Sequence, residues 1–181
     1  MESEQRLLHD IREGNRMAMR QLYDRYSGFA TAVALRYVVD RDNAHDVLQD
    51  SFVKIFTHLG GFSYRGEGSL RAWISRIVSN EALDFVRQNE RMDFTDDLPE
   101  GTSEDNPDVE RVPPDVLTKM IGRLPAGYRA VLNMFVFEQK SHKEIAEQLG
   151  IKENSSASQY NRAKKMLAKT NDWTCPFWSC R

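Results

Sequence analysis

The sequence predicts an all-α fold: two small helical domains joined by an acidic flexible linker, with a helix-turn-helix in the C-terminal domain. Three observations carry this expectation. Apolar residues recur at three- and four-residue steps through 17–37, 47–59, 70–85 and again between 116 and 167, and no stretch of useful length alternates as a strand would. Residues 92–115, MDFTDDLPEGTSEDNPDVERVPPD, hold four prolines and nine acids against one base, with too little apolar surface to fold alone. Gly150 then divides two helical patterns in SHKEIAEQLGIKENSSASQYNRAKKMLAK, residues 141–169. The expected divisions are 1–91, the linker 92–115, 116–172 and a tail 173–181.

Each element has its own reason. In 17–37 the stripe is Leu22, Tyr23, Tyr26, Phe29, Ala30, Val33 and Tyr37. Asp42 or Asn43 can cap the second helix, Val47, Leu48, Phe52, Ile55, Phe56 and Leu59 line it, and Gly60 and Gly61 end it. The loop GGFSYRGEGS places two aromatic rings, Phe62 and Tyr64, among four glycines. A third helix starts near Ser69, is lined by Leu70, Trp73, Ile74, Ile77, Val78 and Phe85, and runs to about Arg91.

Beyond the linker, Val116, Leu117, Met120 and Ile121 resume the helical pattern, and Val131, Leu132, Met134 and Phe135 continue it after Pro125. Ser141 followed three residues later by Glu144 is a capping box, so a helix starts there with Ile145, Ala146 and Leu149 inward. Gly150 can adopt the left-handed turn that stops it, and Ser156, Tyr160, Ala163 and Leu167 repeat along a final helix beginning near Asn154. In a helix-turn-helix that second helix lies in the DNA major groove. On spacing alone, a helical hairpin packed in a core is the alternative.

At 181 residues with 40% hydrophobic content the chain can bury one or two small cores. No run of about 18 apolar residues is present to span a bilayer, and MESEQRLLHD is too charged for a signal peptide, so no membrane insertion and a cytoplasmic location are expected. Cys175 and Cys180 both fall in the terminal WTCPFWSCR and cannot staple the fold; His9, His45, His58 and His142 are scattered. No metal and no cofactor are expected. The net charge of −2 conceals a division: residues 1–91 balance 13 bases and 13 acids, 92–115 carry net −8, and 116–181 carry net +6. A basic C-terminal third suits a phosphate backbone. The acidic segment would repel one, and reads either as a solvated spacer or as a charge mimic of nucleic acid directed at a basic partner.

Three motifs in this order, NAHDVLQDSFVKIF at 43–56, GSLRAWISRIVSNEALDFVRQ at 68–88 and LPAGYRAVLNMFVFEQKSHKEIAEQLGIKENSSASQYNRAKKML at 124–167, resemble the extracytoplasmic-function (group IV) RNA polymerase sigma factors, built from sigma regions two and four. The resemblance extends from about Leu7 to Ala168. It implies that the first motif docks on the polymerase's largest subunit. Asp46, Gln49 and Asp50 share a helical face that Lys54 extends, and acids and amides suit a basic partner helix; a plain solvated face is the other reading.

The resemblance also implies that the loop and third helix open and read the minus-ten element. Phe62 and Tyr64 could stack an unpaired base, a plain connector being the other reading of the loop, and Asn80, Asp84 and Arg87, at four- and three-residue steps, could meet base edges and phosphates. The last motif resembles region four, which reads the minus-thirty-five element. There Ser155, Ser158, Gln159, Asn161 and Arg162 are the candidates, Gln159 foremost because glutamine pairs with adenine N6 and N7, while Lys164 and Lys165 suit phosphates or solvent. Ser156 is placed to face inward with Tyr160. Ala157 and Gln159 stand where relatives often carry basic residues.

The expected function is that of a sigma factor: binding bacterial core RNA polymerase and directing promoter-specific initiation and opening on promoter DNA, with no catalysis of its own. An anti-sigma factor clamping both domains is a further partner implied by the resemblance. The alternative is a helix-turn-helix regulator whose N-terminal helices sense a ligand or oligomerise. A small enzyme using Asp46 and Asp50 is disfavoured, since no plausible pocket signature accompanies these acids in the sequence.

Overall fold

A computed structural model describes residues 3–90, 92 and 114–170. Most of the acidic segment 92–115, and the tail 173–181 with Cys175 and Cys180, lie outside the described residues. Among the described residues there are eight α-helices and a short 3₁₀ turn, and no strand. The chain divides into two compact units, Met1–Asn89 and Glu90–Arg181. No helix among the described residues is long and apolar enough to cross a membrane.

The first unit contains α1 (Ser3–Arg12), α2 (Arg16–Tyr37), α3 (Arg41–His58), the 3₁₀ turn Leu59–Gly61 and α4 (Ser69–Asn89). Helices α2, α3 and α4 pack pairwise around Leu22, Val33, Ile55, Leu70, Ile74 and Val78, each essentially removed from solvent. Full burial of such a side chain contributes about 1.5–3 kcal/mol. Helix α1 had no counterpart among the sequence expectations. It buries Leu7, Leu8 and Ile11, at three- and four-residue steps, and packs on α2. Its Glu4 accepts a hydrogen bond from the Tyr26 hydroxyl at 2.6 Å, and burial together with that acid pushes the Tyr26 pKa up to about 12.

The cap of α3 also differs from expectation. Asp40, not Asp42 or Asn43, sits in extended backbone and accepts from the amides of Asp42 and Asn43, at 3.1 and 2.9 Å. Those two residues already belong to the first turn and supply the donors that a cap must satisfy.

The second unit contains α5 (Pro114–Gly122), α6 (Ala126–Val136), α7 (His142–Leu149) and α8 (Glu153–Thr170). Ile121, Leu124, Leu132 and Ala163 form one apolar cluster within it, with Leu117, Tyr128, Tyr160 and Leu167 packed around them. The capping box is present: the Glu144 amide donates to Ser141 Oγ at 3.3 Å and the Ser141 amide donates to Glu144 Oε2 at 2.8 Å. Gly150 closes α7 in the left-handed conformation at φ 69°.

Candidate nucleic-acid and protein interfaces

On α3 the Asp40 cap fixes the phase, and Asp46, Gln49 and Asp50 all come out exposed. The Gln49 carboxamide lies 2.9 Å from His45 Nδ1, one turn earlier, which steadies its position on the face. Lys54 is exposed too, but its ammonium turns to Glu81 of α4, and that hydrogen bond raises its pKa. Val53, three residues after Asp50 and seven after Asp46, completes the row and is 65% exposed. The sequence reading missed it. The helical step that grouped the other three would have found it.

The loop after α3 is pinned at both ends. The Arg12 guanidinium donates to the Phe62 carbonyl; Ser69 Oγ accepts from the Arg65 amide at 3.2 Å and donates to the Gly66 carbonyl at 2.6 Å. Gly66 and Gly68 take φ of 110° and 82°, a region that favours glycine. Phe62, expected to stack a base, is instead 8% exposed, its ring 4.9 Å from that of Trp73. An aromatic ring in a loop still buries itself where a second ring offers apolar surface. Phe62 and Trp73 line a shallow groove together with Gly61, Ser63, Arg65, Ser69, Ala72 and Arg76. Tyr64 is half-buried beside it in sequence. Further along α4, Asn80 is half-buried while Asp84 and Arg87 are exposed and pair with each other at 3.5 Å.

In the second unit, α8 is held against α6 and α7 by an aromatic cluster. Phe135 stacks on His142 at 4.6 Å and 14°, and lies 4.4 Å from the Tyr160 ring. His142 Nδ1 is 3.0 Å from Ser156 Oγ, so the first helix of the motif is tied to the second at the inward Ser156. Burial lowers the His142 pKa, against an opposing pull from the Glu153 carboxylate.

The expected readers on α8 divide. Gln159 is only 1% exposed, neither its amide nitrogen nor its oxygen has a hydrogen-bond partner, and Ser155 is buried beside it. Gln159 stands three residues after Ser156 and four before Ala163, both fully buried, so the helix carries it into the same stripe. Ser158 is half-buried and Asn161 exposed. Arg162, half-buried, reaches the Tyr128 hydroxyl at 3.4 Å.

The family model described as "Sigma-70 region 2" matches residues 22–92, and that described as "Sigma-70, region 4" matches 115–167. The chain belongs to the sigma-70 family. Within it, the chain falls among the extracytoplasmic-function sigma factors. It is 25% identical over 179 residues to the ECF RNA polymerase sigma-E factor of Haemophilus influenzae, covering 91% of this chain and 93% of the relative. It is 28% identical over 160 residues to the RNA polymerase sigma factor SigZ of Bacillus subtilis, covering 88% and 90%, and 23% identical over 155 residues to the ECF RNA polymerase sigma factor SigM of the same organism, covering 83% and 93%. The fold resembles that of CnrH in its complex with the cytosolic domain of CnrY, with a TM-score of 0.50, 24% identity, and coverage of 91% and 94%. As a sigma factor the chain binds core RNA polymerase and directs promoter-specific initiation.

Proposed function

We propose that this sigma factor docks on core polymerase through the α3 row Asp46, Gln49, Asp50 and Val53, with Lys54 at its edge. The observation that carries this reading is the exposure of two acids, an amide and an apolar side chain at helical spacing within the region-two match. Acids and an amide would meet a basic helix, and the valine would bury apolar surface once the partner excludes water. The loop and α4 would then serve the minus-ten element and its opening: Tyr64 stacks an unpaired base, Arg65 and Arg76 at the groove neutralise backbone charge, and Asn80, Asp84 and Arg87 line the path beyond. Phe62 and Trp73 act as the packed wall of that groove rather than as free stacking rings. The helix-turn-helix takes the minus-thirty-five element through α8, where Ser158, Asn161 and Arg162 remain candidates and Ser155 and Gln159 support from inside. The chain carries no catalysis of its own, works in the cytoplasm where its polymerase is, and is restrained by an anti-sigma partner.

Run-off transcription with purified core polymerase tests the reading. Addition of the parent chain should give promoter-dependent transcripts. Asp50→Lys should lose co-purification with core polymerase and transcript yield together while its circular dichroism stays at the parent level. Full retention of polymerase by this variant would move the docking surface elsewhere.

A further inference from the structure

Promoter selectivity in a helix-turn-helix depends on the few side chains that reach base edges, and α8 has one row of polar side chains turned away from its buried stripe. Asn154, Asn161 and Lys165 are exposed and Ser158 is half-buried, at steps of four, three and four residues. The opposite side holds Ser155, Ser156, Gln159 and Ala163, all buried. Over seven residues a straight helix drifts only about 20° around its axis, so Asn154 and Asn161 point the same way. At about 1.5 Å of rise per residue they stand roughly 10 Å apart along the axis, close to three base-pair steps of about 3.4 Å.

Both side chains are carboxamides, which accept from adenine N6 and donate to N7 at once. Asparagine has a short stem and reaches a base only if the helix lies deep in the groove. Ala157 and Ser158, the small residues between the two, permit that approach.

We propose that Asn154 and Asn161 are the base-reading residues of α8 and that each reads an adenine, so that the minus-thirty-five element carries two adenines about three base pairs apart, with Lys165 at the phosphates beyond. This rests on the assignment of α8 to the minus-thirty-five element. Gln159 has no part in base contact here.

The test is selection from a promoter library randomised upstream of a fixed minus-ten element, using holoenzyme reconstituted from the full chain and core polymerase. The parent should enrich adenine at two positions about three base pairs apart. Asn161→Ala should flatten preference at one of them and Asn154→Ala at the other, each on the order of tenfold. Gln159→Met should keep both preferences. If both alanine variants, with unchanged circular dichroism, select the parent's sequence, or if the enriched bases are not adenines, the asparagine assignment is overturned and α8 stays the reader. If the parent enriches no upstream sequence, the minus-thirty-five assignment falls with it.

Discussion

The two units bury different kinds of side chain. In the first, the buried polar groups are Glu4, Ser51 and Ser79; the serine hydroxyls donate to carbonyls of their own helices, Ser51 to Val47 at 2.6 Å and Ser79 to Arg76 at 3.4 Å, and the rest of the core is aliphatic or aromatic. The second is built on a shorter run of described residues yet buries Arg129, Asn133, Ser155, Ser156 and Gln159. Arg129 donates to the Leu124 carbonyl at 3.0 Å and Asn133 to the Arg129 carbonyl at 2.9 Å. A buried polar group costs stability unless it is hydrogen-bonded. The first unit thus buries few polar groups, whereas the second buries more, of which Ser156, beside His142, ties α8 to α7 and Gln159 is left without a partner.

The largest expected effect lies in the first unit. Ile74→Ala should destabilise it by about 2–5 kcal/mol through lost burial and the cavity left behind. Amide hydrogen exchange resolved by residue should show α2, α3 and α4 losing protection together while α6 to α8 keep theirs. Loss of protection in both units would mean that they fold as one cooperative body, and the contrast between them would have no energetic meaning.

A change of opposite sign is expected in the second unit. Gln159→Met removes an unpartnered buried amide at nearly constant volume and should stabilise that unit by about 1–3 kcal/mol, raising the urea midpoint for α6 to α8. A drop instead would show that an ordered water satisfies the glutamine.

The smallest effect is a pH dependence confined to the second unit. The folded pKa of His142 lies below its ordinary 6.5, so the unfolded chain takes up the proton first and stability falls as pH drops below that value. His142→Phe should flatten this slope in thermal unfolding of α6 to α8. An unchanged slope would assign the acid sensitivity to another group.

Much of the fold was legible in the sequence because long helices repeat their apolar residues at a fixed step. The stripe of Leu22, Ala30 and Val33, the capping box at Ser141 and the turn at Gly150 all follow from local chemistry. Helix α1 escaped because Leu7, Leu8 and Ile11 are interleaved with charges over barely three turns. Gln159 escaped for a different reason. Its carboxamide suggests an outward, base-reading position, although its offsets from Ser156 and Ala163 put it in the inner stripe. Phe62 reads as a free ring in the sequence because its partner Trp73 stands on another element, and sequence spacing carries no signal for such contacts.

The anchored loop between α3 and α4 has an entropic consequence. Ordering a flexible residue costs about 1–2 kcal/mol. Here the ordering of 62–68 accompanies folding itself, through Arg12 on the Phe62 carbonyl and the Ser69 hydroxyl on Arg65 and Gly66. On the role proposed for this loop, a base entering it would meet a preorganised receptor. The free-energy barrier to its capture would then arise mainly from unstacking the duplex, and α1, through one arginine, would keep that barrier from rising.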